Sequence, residues 1–157
     1  MNPTPEIKEE VREFIKKNNT CVIATVWKGE PHASTVHYVS DEYFNIYFLS
    51  HRNTSKYLNI SSQQKASIVI GTGPKHISIQ SKGVVDLFVG QGTEDLHQKF
   101  YWLKGAHLIE HWPIDEMKKF EDKEPVAFKF EPTEMTFMNL DDDSYPHSKG
   151  KEYFTVI

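Results

Sequence analysis

A glycine-turned hairpin near the N-terminus sets the strongest limit on the fold. Cys21 to Trp27 is a run of apolar and β-branched residues, Lys28-Gly29-Glu30 turns it, and Pro31 to Ser40 returns as a second strand. A glycine in so short a turn supplies the positive φ that a tight hairpin requires, so the two strands run antiparallel. Asp41-Glu42 then turns the chain into a third strand, Tyr43 to Leu49, with no crossover helix of the kind that parallel strands need.

The remaining elements extend this β-rich opening. Thr4-Pro5 starts a helix as cap and first-turn proline, Ile7, Val11, Phe14 and Ile15 recur at helical spacing, and Asn18-Asn19 stop it. Thr54 to Gln63 reads as a short helix capped by Thr54 or Ser55, with Tyr57, Leu58 and Ile60 as its buried contacts. Ala66 to Gly71 is a fourth strand, and Thr72-Gly73-Pro74 breaks the sheet before a long fifth, His76 to Val89, which Gly83 bends or bulges. Helices are expected from Thr93 to Gly105 and between His107 and Phe120, the latter interrupted by Pro113. Val126, Phe128 and Phe130 alternate in a last strand that Pro132 disturbs, and Met135, Phe137 and Leu140 resume the apolar pattern. This order predicts a mainly β protein with peripheral helices, a six-stranded antiparallel Greek-key barrel. A Rossmann fold is disfavoured, since no Gly-x-Gly-x-x-Gly follows a strand.

At 157 residues the chain suits a single domain, with a helical lid at 4–18, a barrel over about 20–140 and a polar tail at 141–157 whose Tyr153, Phe154 and Val156 dock back. A formal charge of -4 with scattered basic residues argues against nucleic acid as a partner. Cys21 is the only cysteine and lies in an apolar run, so an inert buried thiol in a reducing, cytoplasmic setting is expected. Met1 to Glu10 is polar and acidic, and no apolar stretch approaches the roughly 20 residues of a membrane span.

The chemistry concentrates in residues 25–56. A strand carrying Ser34, Val36, His37 and Tyr38 is followed by an aromatic strand that ends in Ser50-His51-Arg52-Asn53-Thr54-Ser55-Lys56 and opens a helix. Hydroxyls, a forked guanidinium and an ammonium at a helix N-terminus suit a terminal phosphate. With Gly29-Glu30-Pro31-His32, the strand from Tyr47 to Leu49 and Ser81-Lys82-Gly83, these residues resemble the pyridoxamine 5′-phosphate oxidase-like, FMN-binding split-barrel superfamily. The resemblance spans residues 7–140 in element order and 22–85 in pattern. It implies a split barrel and a homodimer with FMN at the interface. By position, Ser34, Val36, His37 and Tyr38 would line the ring or ribityl chain, and Ser50, Arg52, Thr54, Ser55 and Lys56 would surround the phosphate. Gln80 and Trp102 are candidate contacts from the second subunit. The C-terminal glutamate–aromatic–tryptophan and Arg-x-His-Asp/Glu-Arg signature of true pyridoxamine phosphate oxidases has no counterpart between Glu124 and Ile157. The resemblance is therefore to short members of the superfamily, some of which bind haem or a deazaflavin. It implies an FMN-dependent oxidoreductase acting on a small molecule that sequence does not identify, or alternatively a non-catalytic flavin- or haem-binding carrier or sensor.

Two other constellations compete. His107-Leu108-Ile109-Glu110-His111 matches a His-x-x-Glu-His zinc pattern, but Trp112-Pro113 ends the helix at once and the scaffold for a third ligand is missing, so a partly exposed helix face is the expectation. Asp141-Asp142-Asp143 lacks the glycine and distal glutamate of a calcium loop and reads as a solvated turn.

Overall fold

The computed structural model describes residues 3–71, 73–89, 126–140 and 142–157, the side chains of 151–155 excepted. Helix α1 (Pro5–Lys17) begins where Thr4 accepts a hydrogen bond from the Ile7 amide at 3.4 Å, and it buries Val11, Phe14 and Ile15 together with Glu10. It ends at Asn18, whose backbone is extended and whose side chain donates to the Phe14 carbonyl at 2.8 Å.

Strands β1 (Thr20–Trp27) and β2 (Glu30–Ser40) are joined by Lys28 and Gly29, at φ 51° and 80°. A two-residue turn with both central residues at positive φ matches the right-handed twist of its strands, which fixes the register that sets Trp27 opposite Glu30. Strand β3 is Ile46–Ser50 and starts three residues later than the pattern predicts. The Asp41 carboxylate accepts from the amides of Tyr43 (2.9 Å) and Asn45 (3.0 Å), folding 41–45 into a side-chain-locked turn with Phe44 at φ 67°.

Helix α2 (Ser55–Ser62) follows, then β4 (Lys65–Ile70), β5 (Ile77–Leu87), β6 (Val126–Asn139) and β7 (Lys151–Thr155). In α2, Leu58 is exposed instead of buried; Asn59 takes the inward position and donates to Thr25 Oγ1 at 3.0 Å. The sheet order is β3-β2-β1-β4-β5-β6-β7, and an added β3–β6 pairing closes β1 to β6 into a six-stranded barrel. Three hairpin-connected strands with a fourth returning beside the first, order 3-2-1-4, form the expected Greek key.

Strand β6 is one element of 14 residues, not two fragments around Pro132. Its pairing with β5 shifts register at Lys82/Gly83, leaving Thr133 as the extra residue. Pro132 thus sits in a bulge where its missing N–H matters least. The shift also reverses inward parity: Phe128 and Phe130 face the core before it, Met135 and Phe137 after it. One edge of β6 pairs with β5 throughout; the other pairs with β3 over Val126–Phe130 and with β7 over Thr136–Asn139. The expected polar tail is therefore partly a seventh strand, and Val156 beyond it is buried.

The two helices cap opposite ends of the barrel. Phe14 of α1 packs on Phe137 at 5.6 Å, and the Ile15 carbonyl accepts from Tyr38 Oη at 2.6 Å. At the other end, Tyr57 of α2 meets Phe128 edge-on at 6.1 Å, and Phe128 in turn stacks on Phe48 at 5.2 Å. The expected helices between Thr93 and Phe120, with Trp102, His107, Glu110 and His111, lie outside the described residues.

Cys21 lies inside this core, 3% exposed, and burial pushes its thiol up to about 12. The nucleophile is the thiolate. A disulfide reagent at pH 8 is expected to label no cysteine in the native protein and one after denaturation. Fast labelling without denaturant would show that β1 opens.

Candidate cofactor site

Where β3 passes into α2 the chain collects its cationic and hydroxyl side chains. Thr54, extended at φ -87°, caps α2: its Oγ1 accepts from the Tyr57 amide at 3.2 Å and donates to the His51 carbonyl at 2.9 Å. That hydroxyl's one proton is thus committed, so Ser50 Oγ is the donor in the 2.9 Å contact between the two side chains. Ser50 and Thr54 therefore build the turn, and their hydroxyls are occupied in doing so.

Arg52, Ser55 and Lys56 remain to face a ligand. Arg52 is exposed and donates to Tyr57 Oη at 3.3 Å, its guanidinium 5.9 Å from the Tyr57 ring centroid. Ser55 is exposed at the first helical position. Lys56 is half-buried, and desolvation lowers its pKa. Among the described residues neither Arg52 nor Lys56 is paired with a carboxylate. The first-turn amides of Ser55 and Lys56 have no intrahelical acceptor, which adds the positive end of the helix dipole to two cations. This donor set fits a phosphate. Tyr57, which positions the guanidinium, is a residue that the sequence reading assigned only to packing.

Strand β2 divides its candidates between two faces. Val36 and Tyr38 point inward, 6% and 2% exposed, and Tyr38 is held by its bond to Ile15; burial raises its pKa. Both are core residues, because alternate residues of a strand cannot share a face with their neighbours. His37 is on the outer face, beside the small apolar cluster of Val39, Tyr47, Leu49, Phe88 and Ala127. Tyr47 donates to Asp41 at 2.9 Å, and burial together with that bond pushes its hydroxyl up to about 12.

Ser34 shares the inner face with His32, near the end closed by α2. Ser34 Oγ and His32 Nδ1 are buried atoms with no hydrogen-bond partner among the described residues. Thr25, opposite His32 in the register, is satisfied by Asn59. Orphaned buried polar atoms of this kind are rare, and a hydroxyl-bearing ligand is one partner that would satisfy them. His32 was absent from the candidates; its two-residue spacing from Ser34 is the signal that could have found it.

Gln80 is exposed on the outer wall of β5, opposite Val69 and Thr136, and β6 separates it from β3. Trp102 lies outside the described residues. Among the described residues no group of three or more His, Cys, Asp or Glu is placed to hold a metal ion.

Comparison with known proteins bears on the family and the fold. The sequence profile of the pyridoxamine 5′-phosphate oxidase family matches residues 7–139. No curated protein matches the sequence. General stress protein 26 from Bacillus anthracis superposes with a TM-score of 0.63 at 17% identity, covering 84% of this chain and 93% of its own. A pyridoxamine 5′-phosphate oxidase-related, FMN-binding protein from Nostoc punctiforme gives 0.59 at 15% identity, covering 98% and 96%. An FAD-binding protein from Mesorhizobium loti gives 0.59 at 13%, covering 82% and 91%. At these identities the likeness is one of fold.

Proposed function

The chain belongs to the pyridoxamine 5′-phosphate oxidase family, and from that premise we propose that it binds FMN and serves as a flavin-dependent oxidoreductase for a small molecule. The observation that carries the reading is Lys56, partly desolvated and without a carboxylate partner among the described residues, beside Arg52 at the N-terminus of α2. Desolvating an ammonium is unfavourable without a compensating anion, and a phosphate supplies one. Arg52, Ser55 and Lys56 hold the phosphate in this reading, and Ser34 and His32 accept or donate to the hydroxyl chain. His37 stands on the outer face as a hydrogen-bond or proton donor. When bound, a flavin supplies two-electron redox chemistry, a nicotinamide being the reductant. The protein's part is to orient the substrate and exclude water.

A homodimer belongs to the same proposal. Val26 is 41% exposed on the outer face of β1, which also carries Ala24 and half-buried Val22, and Val69 continues the strip onto β4. Gln80 borders it, and in this reading it contacts the second subunit's site. The chain holds one cysteine and, among the described residues, no helix long and apolar enough to cross a membrane; we place it in the cytoplasm.

Sedimentation with detection in the flavin band reads both claims at once. FMN is expected to travel with a species of twice the 18.2 kDa chain mass. Arg52→Ala combined with Lys56→Ala is expected to weaken FMN by about 3 kcal/mol, on the order of a hundredfold. Lys28→Ala, at the hairpin tip, serves as the control and leaves affinity unchanged. Equal affinity of the double variant and the wild type would remove the site assignment.

A further inference from the structure

At the barrel end opposite α2, the C-terminal end of α1, residues 71, 73–75 and 77, and residues 142, 144 and 145 border an open cavity of about 370 Å³. That volume is in the range of small-molecule sites. Phe14, Ile77 and Tyr145 give it apolar walls, and the rings of Phe14 and Tyr145 meet edge-on at 5.8 Å. Gly71 forms part of the lining at φ 85°; a Cβ there would lie 2.5 Å from Phe14 Cζ and 2.7 Å from the Ile77 carbonyl. The helix and the loop approach this closely only because that residue has no side chain.

The polar groups of the lining are unbalanced. Lys75 Nζ donates to Asp142 Oδ2 at 3.2 Å, while Asp142 Oδ1 accepts from the Ser144 amide at 2.9 Å. One carboxylate is therefore fully engaged, and the Ser144 amide bond is the main reason its pKa is lowered. Lys17 Nζ is 5.1 Å from the Tyr145 ring centroid and has no carboxylate partner among the described residues. Among the described residues two ammonium groups and a single carboxylate line the cavity, so their N–H donors exceed their acceptors beside aromatic surface.

We propose that this cavity is a second binding site, specific for a small aromatic monocarboxylate. The ring of such a ligand packs on Phe14, Ile77 and Tyr145, and its carboxylate accepts from Lys17 and Lys75. Both interactions are needed: the charge-assisted bonds select the anion, and the apolar walls select a flat body.

The test is a titration of the full chain with benzoate, followed by backbone amide NMR. Saturable shifts are expected at Gly71, residues 73–77 and 142–145, with no saturable response to benzyl alcohol, which has the same ring and no charge. Lys17→Met, at an exposed position at the end of α1, and Lys75→Gln are each expected to weaken benzoate about tenfold. The proposal fails if no shift saturates, if benzyl alcohol binds as well, if neither lysine variant matters, or if the shifts fall at Arg52–Tyr57. The reporting residues are at the far end of the barrel from α2, so the result does not depend on whether FMN binds.

Discussion

Replacing Gly83 with alanine is expected to destabilise the protein by more than about 3 kcal/mol, on the order of 10 °C in Tm for a chain of this size. An alanine Cβ would lie 2.2 Å from the Glu131 carbonyl oxygen and 2.8 Å from Phe130 Cζ. Neither neighbour has room to move. Glu131 is part of the ladder that joins β5 to β6 from Ile77 to Leu87, and Phe130 is fully buried. Relief would mean separating the two strands at the bulge, where the inward parity of β6 reverses, so the strain spreads into the core. Gly29→Ala is the contrast. At φ 80° with nothing within 4 Å, it carries backbone strain alone and is expected to lose about 1 kcal/mol. Urea midpoints measure both; equal midpoints would mean that the close approach at Gly83 is not a feature of the native barrel.

The part of the fold that was legible rests on local chemistry. Gly29 specifies its hairpin and Thr4-Pro5 starts α1, because each acts through its own backbone or a neighbour three or four residues away. The misreadings share the opposite property. β7 exists because β6 offers a free edge beyond its pairing with β3, which the sequence of Lys151 to Thr155 does not itself display. Leu58 is exposed because Asn59 finds Thr25, 34 positions earlier, as its partner.

The candidate site shows the same division. The cluster from Arg52 to Lys56 could be read directly, since a cap and its flanking cations are adjacent in sequence. Alternation separates Val36 and Tyr38 from His37, and only the packing of β2 decides which set faces inward. By sequence alone the hydroxyls of Ser50 and Thr54 suit a ligand. The structure commits those hydroxyls to each other and to the turn, leaving Ser55 without a hydrogen-bond partner among the described residues.

Glu10→Ala is expected to release the C-terminal turn from α1. Glu10 is a carboxylate 7% exposed on the buried face of a helix, a position that only strong hydrogen bonding sustains. It has that bonding: Oε1 accepts from the His147 amide at 2.8 Å and Oε2 from the Ser148 amide at 2.9 Å, across 137 and 138 residues of sequence. Truncation leaves two amides without acceptors, about 2–5 kcal/mol in total. Glu10→Gln keeps one acceptor oxygen and turns an NH₂ toward the other amide, so an intermediate loss is expected. The turn has a second anchor in Asn139, whose side chain donates to the carbonyls of Asp142 and Tyr145 and to Ser148 Oγ. That anchor lies within the barrel strand, so the barrel itself should survive. Hydrogen exchange separates the two supports: protection at His147 and Ser148 falls in Glu10→Ala while β1 to β6 keep theirs. Because Asp142 and Tyr145 belong to the same turn, the variant should also weaken benzoate. Retained protection at both amides would mean that Asn139 alone holds the turn and that the buried carboxylate is not its clamp.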